Sequence, residues 1–201
     1  MTLIDPDRPG ATAEYERLEP AERSAAEAFL AAHPAGAGPP LAVVIPAYNE
    51  EPTVAEVIAG IPSEAAGLHS ETIVVVDGAK DATAARAREA GALVCDVPVN
   101  RGQGAALRLG YWLARARGAQ VIVTIDADGQ YEAGEIAAVI APILSGRADF
   151  VSGSRRLGSE LTTDTTAWTE SEVPEPITIG PVQASRVRPR RMAPTTSETW
   201  T

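Results

Sequence analysis

The stretch Val121-Ile122-Val123-Thr124-Ile125-Asp126-Ala127-Asp128-Gly129-Gln130 joins an apolar run directly to two carboxylates one residue apart. The run is continuous rather than alternating, which predicts a strand covered on both faces. At its end Asp126 and Asp128 can reach one ion. Hard oxygen ligands at a strand end suit Mg²⁺ or Mn²⁺ held jointly with substrate phosphates, the arrangement used when a diphosphate must become a leaving group. Taken alone, the same pair also reads as an acidic turn or a helix cap.

Working outward, the same continuous β pattern recurs at Leu41 to Ile45, Thr72 to Val76, Ala92 to Cys95 and Asp149 to Ser152. Between these runs, apolar residues fall at helical spacing: Val54, Val57, Ile58 and Ile61; Leu109, Trp112, Leu113 and Ala116; Ile136, Val139, Ile140 and Ile143. The alternation predicts an α/β fold, a mainly parallel sheet whose ligand site lies at the carboxyl ends of its strands.

The chain has 201 residues and a formal charge of -10, enough for one domain with a full core. No basic face dominates, which argues against nucleic acid as a partner. One cysteine, Cys95, makes no internal disulfide, and two distant histidines, His33 and His69, make no zinc cluster, so a cytoplasmic setting is expected. No apolar run is long enough to span a bilayer, so any membrane contact is expected to be peripheral. Residues 1–40 read as a helical appendage, with its helix over about Ala13 to Ala32, followed by a Pro-rich linker. Residues 41–158 read as the folded domain. Residues 159–201, rich in Thr, Ser, Pro, Glu and Arg, show no periodic apolar face and are expected to be largely disordered.

The other strand ends also carry polar turns. The first passes into Pro46-Ala47-Tyr48-Asn49-Glu50-Glu51, where the aromatic ring can stack on a nucleobase. The second ends in Asp77-Gly78-Ala79-Lys80-Asp81-Ala82-Thr83, with Asp77 able to accept from a base or ribose and Asp81 better read as a cap for the next helix. The third connection, Asn100-Arg101-Gly102-Gln103-Gly104-Ala105-Ala106, opens a helix with small residues that admit a ligand close to the backbone at Gly102 and Gly104; a plain tight turn explains each glycine equally well. Trp112 reads as core, and Cys95 as a small buried strand residue rather than a nucleophile. Tyr131 either flanks the acidic loop or is a half-buried aromatic; Trp168 and Trp200 receive no role.

In these motifs, together with Ser152-Gly153-Ser154-Arg155, the chain resembles the family 2 glycosyltransferases of GT-A fold, especially the dolichol-phosphate mannosyltransferase and polyprenyl-phosphate glycosyltransferase branch. The resemblance covers about Leu41 to Gly158. It implies a GT-A, Rossmann-like sheet with helices on both faces. It also implies a nucleoside-diphosphate sugar donor and a polyprenyl-phosphate acceptor at the inner face of the cell membrane. Pro46, Tyr48, Glu50 and Asp77 would line the nucleoside pocket, with Gly102, Gly104 and Asp126 also on the donor. Asp126, Asp128 and Gln130 would surround a Mg²⁺ or Mn²⁺ ion. Asp128 and Arg155 would serve the transfer, Arg155 from the acceptor or phosphate side, in a single inverting displacement.

Three departures from the family pattern stand out. Val76-Asp77 replaces two consecutive aspartates, Gly78-Ala79 replaces Gly-Ser, and the strands and helices that should follow Gly-Ser-Arg are not visible in the sequence. A fold incomplete at its C-terminus, from truncation or a shifted reading frame, is the expectation drawn from the last. These departures carry an alternative function, an inactive nucleotide-sugar-binding remnant or regulatory module without an acceptor half.

Overall fold

The computed structural model describes residues 11–129, 135–152 and 182–186. Strand β1 (Leu41–Ala47) is buried along its whole length, as a continuous apolar run requires. It pairs in parallel with β3 (Leu68–Asp77), from Leu41 opposite Ser70 to Ala47 opposite Val76, and on its other side with β5 (Val121–Ile125), from Leu41 opposite Val121 to Val44 opposite Thr124. Strand β4 (Leu93–Val97) extends the sheet beyond β3, again in parallel. Short β2 (Glu64–Ala65) makes an antiparallel hairpin with the start of β3. Beyond β5 come β7 (Val182–Arg186), antiparallel, and then β6 (Phe150–Ser152). The sheet is mainly parallel, as its sequence pattern predicts.

Helices cover both faces. Alternate residues of β1 serve the two sides: Leu41, Val43, Ile45 and Ala47 face a core shared with α3 (Val54–Gly60), α4 (Thr83–Glu89) and α6 (Glu135–Leu144). Ala42 and Val44 face a second core built with α2 (Pro20–Ala32) and α5 (Gln103–Arg117). Trp112, on the apolar stripe of α5, is buried there, as expected. Among the described residues no helix is long and apolar enough to cross a membrane.

Two expectations are corrected. Residues 13–32 are not one helix: α1 (Ala11–Glu16) stops before Pro20, which takes the first helical position of α2, where its missing N–H costs nothing, while the Glu22 carboxylate accepts the Glu19 N–H at 2.8 Å. Nor is this segment an appendage. Phe29 and Leu30 are buried in the second core, and the linker is bonded down through Gly36 N–H to Ala116 O and Gly38 N–H to Arg117 O, both 2.8 Å. Arg117 adds a bidentate pair to Glu71 at 2.7 and 3.2 Å and a bond to the Pro34 carbonyl at 2.8 Å.

The second correction concerns the C-terminal stretch. Val182–Arg186, expected to be disordered, forms β7 between β5 and β6, with Ala184 in the first core. Its pairing on both sides supplies what its own polar composition lacks. Arg186 donates to the Ile143 carbonyl. The rest of 159–201 lies outside the described residues.

Candidate functional site

From β1 the chain moves through β3 to β4 on one side of the sheet, then returns across it in α5 to place β5 on the other side of β1. The strand order therefore reverses between β1 and β5, the position at which open α/β sheets form a ligand crevice. The β1–β5 register ends at Val44 and Thr124, two residues before Pro46, which has no N–H to offer a ladder. Past that point lie Tyr48, 45% exposed, on one side and Asp126 and Asp128 on the other. Pro46 itself is buried in the strand.

The loops at these strand ends are tied to one another in sequence. Asn49 sits at φ +56°, a left-handed setting that asparagine tolerates, and its Oδ1 accepts the Lys80 N–H at 2.9 Å. The Glu50 N–H donates to Thr83 Oγ1 at 2.8 Å, and the Glu50 carboxylate accepts the Thr53 hydroxyl at 3.1 Å. Glu51 and the α4 start exchange bonds: the Glu51 N–H to Asp81 Oδ2 at 3.2 Å, and the Ala82 N–H to Glu51 Oε2 at 3.1 Å. Asp81 also accepts the Thr83 N–H at 3.0 Å and the Thr83 hydroxyl, so its expected capping role is observed, one residue before the helix N-cap. The hydroxyl bond, above all, holds its carboxyl below the ordinary aspartate range.

The second loop is locked to the third. Gly78, at φ +68°, donates to the Val97 carbonyl at 2.8 Å, and a Cβ there would lie 2.2 Å from Asn100 N. Only glycine fits. Asp77 is 4% exposed, and its carboxylate accepts the Arg101 N–H at 2.8 and 3.0 Å and the Gly102 N–H at 2.7 Å. Asp77, for which a base or ribose contact is expected, bonds the β4–α5 backbone. The next residue, Gln103, donates through Nε2 to Asp126 Oδ1 at 3.0 Å and so ties the third loop to the fourth.

Of the residues singled out in the sequence, Tyr48, Glu50, Gly102, Gly104, Asp126 and Asp128 stand at the same end of the sheet. Asp126 is half-buried and Asp128 exposed. At Gly104 a Cβ would meet nothing closer than Arg108 Nη1 at 3.7 Å, so protein packing does not demand a glycine there. Gln130 and Arg155 lie outside the described residues, as do Tyr131, Trp168 and Trp200. Gln103 and Asn100 enter the site although the sequence pointed to neither by itself; their signal is a polar residue two positions before Gly102 and another directly after it, at a helix start. Cys95 is fully buried, and desolvation first, then the charges of Asp96 and Glu22, push its thiol up to about 12, so it offers no nucleophile. Among the described residues no cluster of three or more His, Cys, Asp or Glu forms a self-sufficient metal cage.

The family model of glycosyl transferase family 2 matches residues 42–185, from β1 through β7. The chain belongs to glycosyl transferase family 2. Its relatives include an uncharacterised protein of Methanocaldococcus jannaschii, 36% identical over 115 residues, which cover 57% of this chain and 46% of the other. The UDP-N-acetylglucosamine–dolichyl-phosphate N-acetylglucosaminyltransferase of Methanococcus voltae is 32% identical, covering 56% and 51%. Among solved structures, glucosyl-3-phosphoglycerate synthase from Mycobacterium tuberculosis, in complex with Mn²⁺, UDP and phosphoglyceric acid, superimposes with a TM-score of 0.53 at 28% identity, covering 80% of this chain and 58% of that one. The chain spans about half the length of the curated relatives it matches.

Proposed function

We propose that this family 2 chain binds a nucleoside-diphosphate sugar in the crevice between β1 and β5 and transfers the sugar to a phosphate-bearing acceptor. The observation that carries this reading is the stitching of four strand-end loops, which ties in Asp126 where the strand order reverses, with Asp128 two residues on and the Tyr48 turn at the end of the neighbouring strand. Tyr48 offers a ring to the nucleobase, and the open backbone at Gly104 lets the diphosphate approach the start of α5. Asp126 and Asp128 present the hard oxygens that suit Mg²⁺ or Mn²⁺, with donor phosphates and water completing the shell. When bound, that ion neutralises charge developing on the departing diphosphate. The family resemblance would add Gln130 to these ligands and assign Arg155 to the acceptor or phosphate side. With a lipid phosphate as acceptor the nucleophile is already anionic, so an inverting displacement needs no strong general base from the chain, whereas a hydroxyl acceptor must give up its proton.

The acceptor class rests on relatives of two kinds, one named for a dolichyl phosphate and one crystallised with phosphoglyceric acid. The test is turnover of labelled UDP- and GDP-sugars with Mn²⁺ against a polyprenyl phosphate in one arm and phosphoglyceric acid in the other. Product in the first arm supports a lipid acceptor; product in the second, a soluble one. Asp128→Ala is expected to lower kcat/KM at least about 100-fold while leaving the fold intact. Metal-dependent donor binding without product in either arm would favour the non-transferring module, a reading supported by buried Val76 in place of the family's first aspartate.

A further inference from the structure

The buried carboxylate of Asp77 and the half-buried carboxylate of Asp126 are joined by a short, continuous path. Asp77 ends β3, and its charge is spent on two successive backbone N–H groups, those of Arg101 and Gly102. Such charge-assisted bonds are stronger than neutral ones, and in a site only 4% exposed they fix the turn firmly. The turn has little freedom elsewhere. Gly102 is held at φ +90°, Asn100 Oδ1 accepts the same Gly102 N–H at 3.0 Å, and Gly78 packs against Asn100 with no room for a Cβ. Directly after Gly102, Gln103 opens α5 and reaches Asp126 on the far side of β1.

We propose that Asp77 is a positioning residue for Asp126, acting through the Arg101-Gly102 turn and the Gln103 side chain. The proposal rests on the metal reading of Asp126 and Asp128 given above. Gln103 suits the task chemically: a neutral amide orients a carboxylate without cancelling the charge that a cation needs, whereas a lysine or arginine there would compete with the metal. Asp77 in turn acts from the end of β3, through the backbone that its carboxylate holds. The carboxylate that the family resemblance would assign to the base thus sets the geometry of the phosphate end of the site.

The experiment is Mn²⁺ titration in the presence of UDP, followed by Mn²⁺ electron paramagnetic resonance, on the full chain and its Asp126→Ala, Gln103→Ala, Asp77→Asn, Gly102→Ala and Asp77→Asn/Gln103→Ala variants. Gln103→Ala, on an exposed side chain, is expected to keep the thermal midpoint and weaken Mn²⁺ binding about 10- to 100-fold. UDP affinity in EDTA should not change, a separation that a merely structural role would not produce. Gly102→Ala, where a Cβ meets nothing but φ is positive, disturbs the turn without touching the buried charge and should weaken Mn²⁺ binding likewise. It keeps the test decisive if Asp77→Asn does not fold. A double variant no weaker than Asp77→Asn alone supports a shared route; additive losses overturn it. Wild-type Mn²⁺ affinity in Gln103→Ala, with affinity lost in Asp126→Ala, overturns the positioning role alone. If Asp126→Ala binds Mn²⁺ as the parent chain does, the metal reading itself fails and this proposal with it.

Discussion

At Asp81 one carboxylate serves two loops, taking the Thr83 N–H and hydroxyl on Oδ1 and the Glu51 N–H on Oδ2. These bonds favour the charged form and hold its folded pKa below the ordinary value of 3.8. A depressed folded pKa means that the contribution to stability is fully present above the unfolded value and is lost as pH falls through the folded one. Asp81→Asn should therefore lower the urea midpoint by a constant amount from neutral pH down to about 5, and the penalty should shrink below about pH 4. A penalty unchanged at the lowest pH would show that charge is not what the loops use. The cap was legible because Asp81 and Thr83 are two residues apart. The Glu51 partnership, thirty residues apart, was not, and neither was the turning of Asp77 onto Arg101 and Gly102.

Helix α5 carries a glycine in its middle, which in an exposed helix costs about 1 kcal/mol relative to alanine. Gly110 is buried, and a Cβ there would lie 2.4 Å from Val44 Cγ1 and 3.3 Å from Val75 Cγ2. Its absence lets the helix settle directly onto β1 and β3, which brings the α5 N-terminus, with Gln103, over the strand ends. Overpacking a core costs about 1–3 kcal/mol, which outweighs the propensity gain. Gly110→Ala is thus expected to destabilise the chain by about 1–2 kcal/mol in denaturant titrations, with part of the loss recovered when Val44→Ala is added. Stabilisation by Gly110→Ala would show that the helix can lift away freely. The apolar stripe of α5, Trp112 included, was plain from its spacing; the need for a gap at Gly110 was set by side chains on two strands that spacing does not describe.

Across the whole molecule, the sheet is completed by a strand from the stretch with the weakest pattern. Val-Gln-Ala-Ser-Arg has little apolar content, yet β7 lies between β5 and β6 with Ala184 1% exposed. An acid at that position would place a charge in the core beside α6. Ala184→Asp is expected to cost on the order of 3 kcal/mol and to lower the thermal midpoint of the domain as one cooperative unit. A melting curve identical to the parent's would show that β7 contributes nothing to the sheet. The N-terminal helices belong to the same unit, because α2 shares a core with α5, and Arg117, paired with Glu71, anchors the linker.

What the sequence determined by itself is the parallel α/β architecture, the strand ends where chemistry gathers, and the pair Asp126 and Asp128 at the end of β5. These follow from local rules, since continuous apolar runs, helical spacing and turn residues act over a few positions. The tertiary structure alone decided that α2 is core, that 182–186 is a strand, and that Asp77 looks inward while Gln103 reaches Asp126. Each of those depends on a partner between 23 and about 90 residues away, and no local pattern records which distant group will supply a buried polar atom with its hydrogen bond.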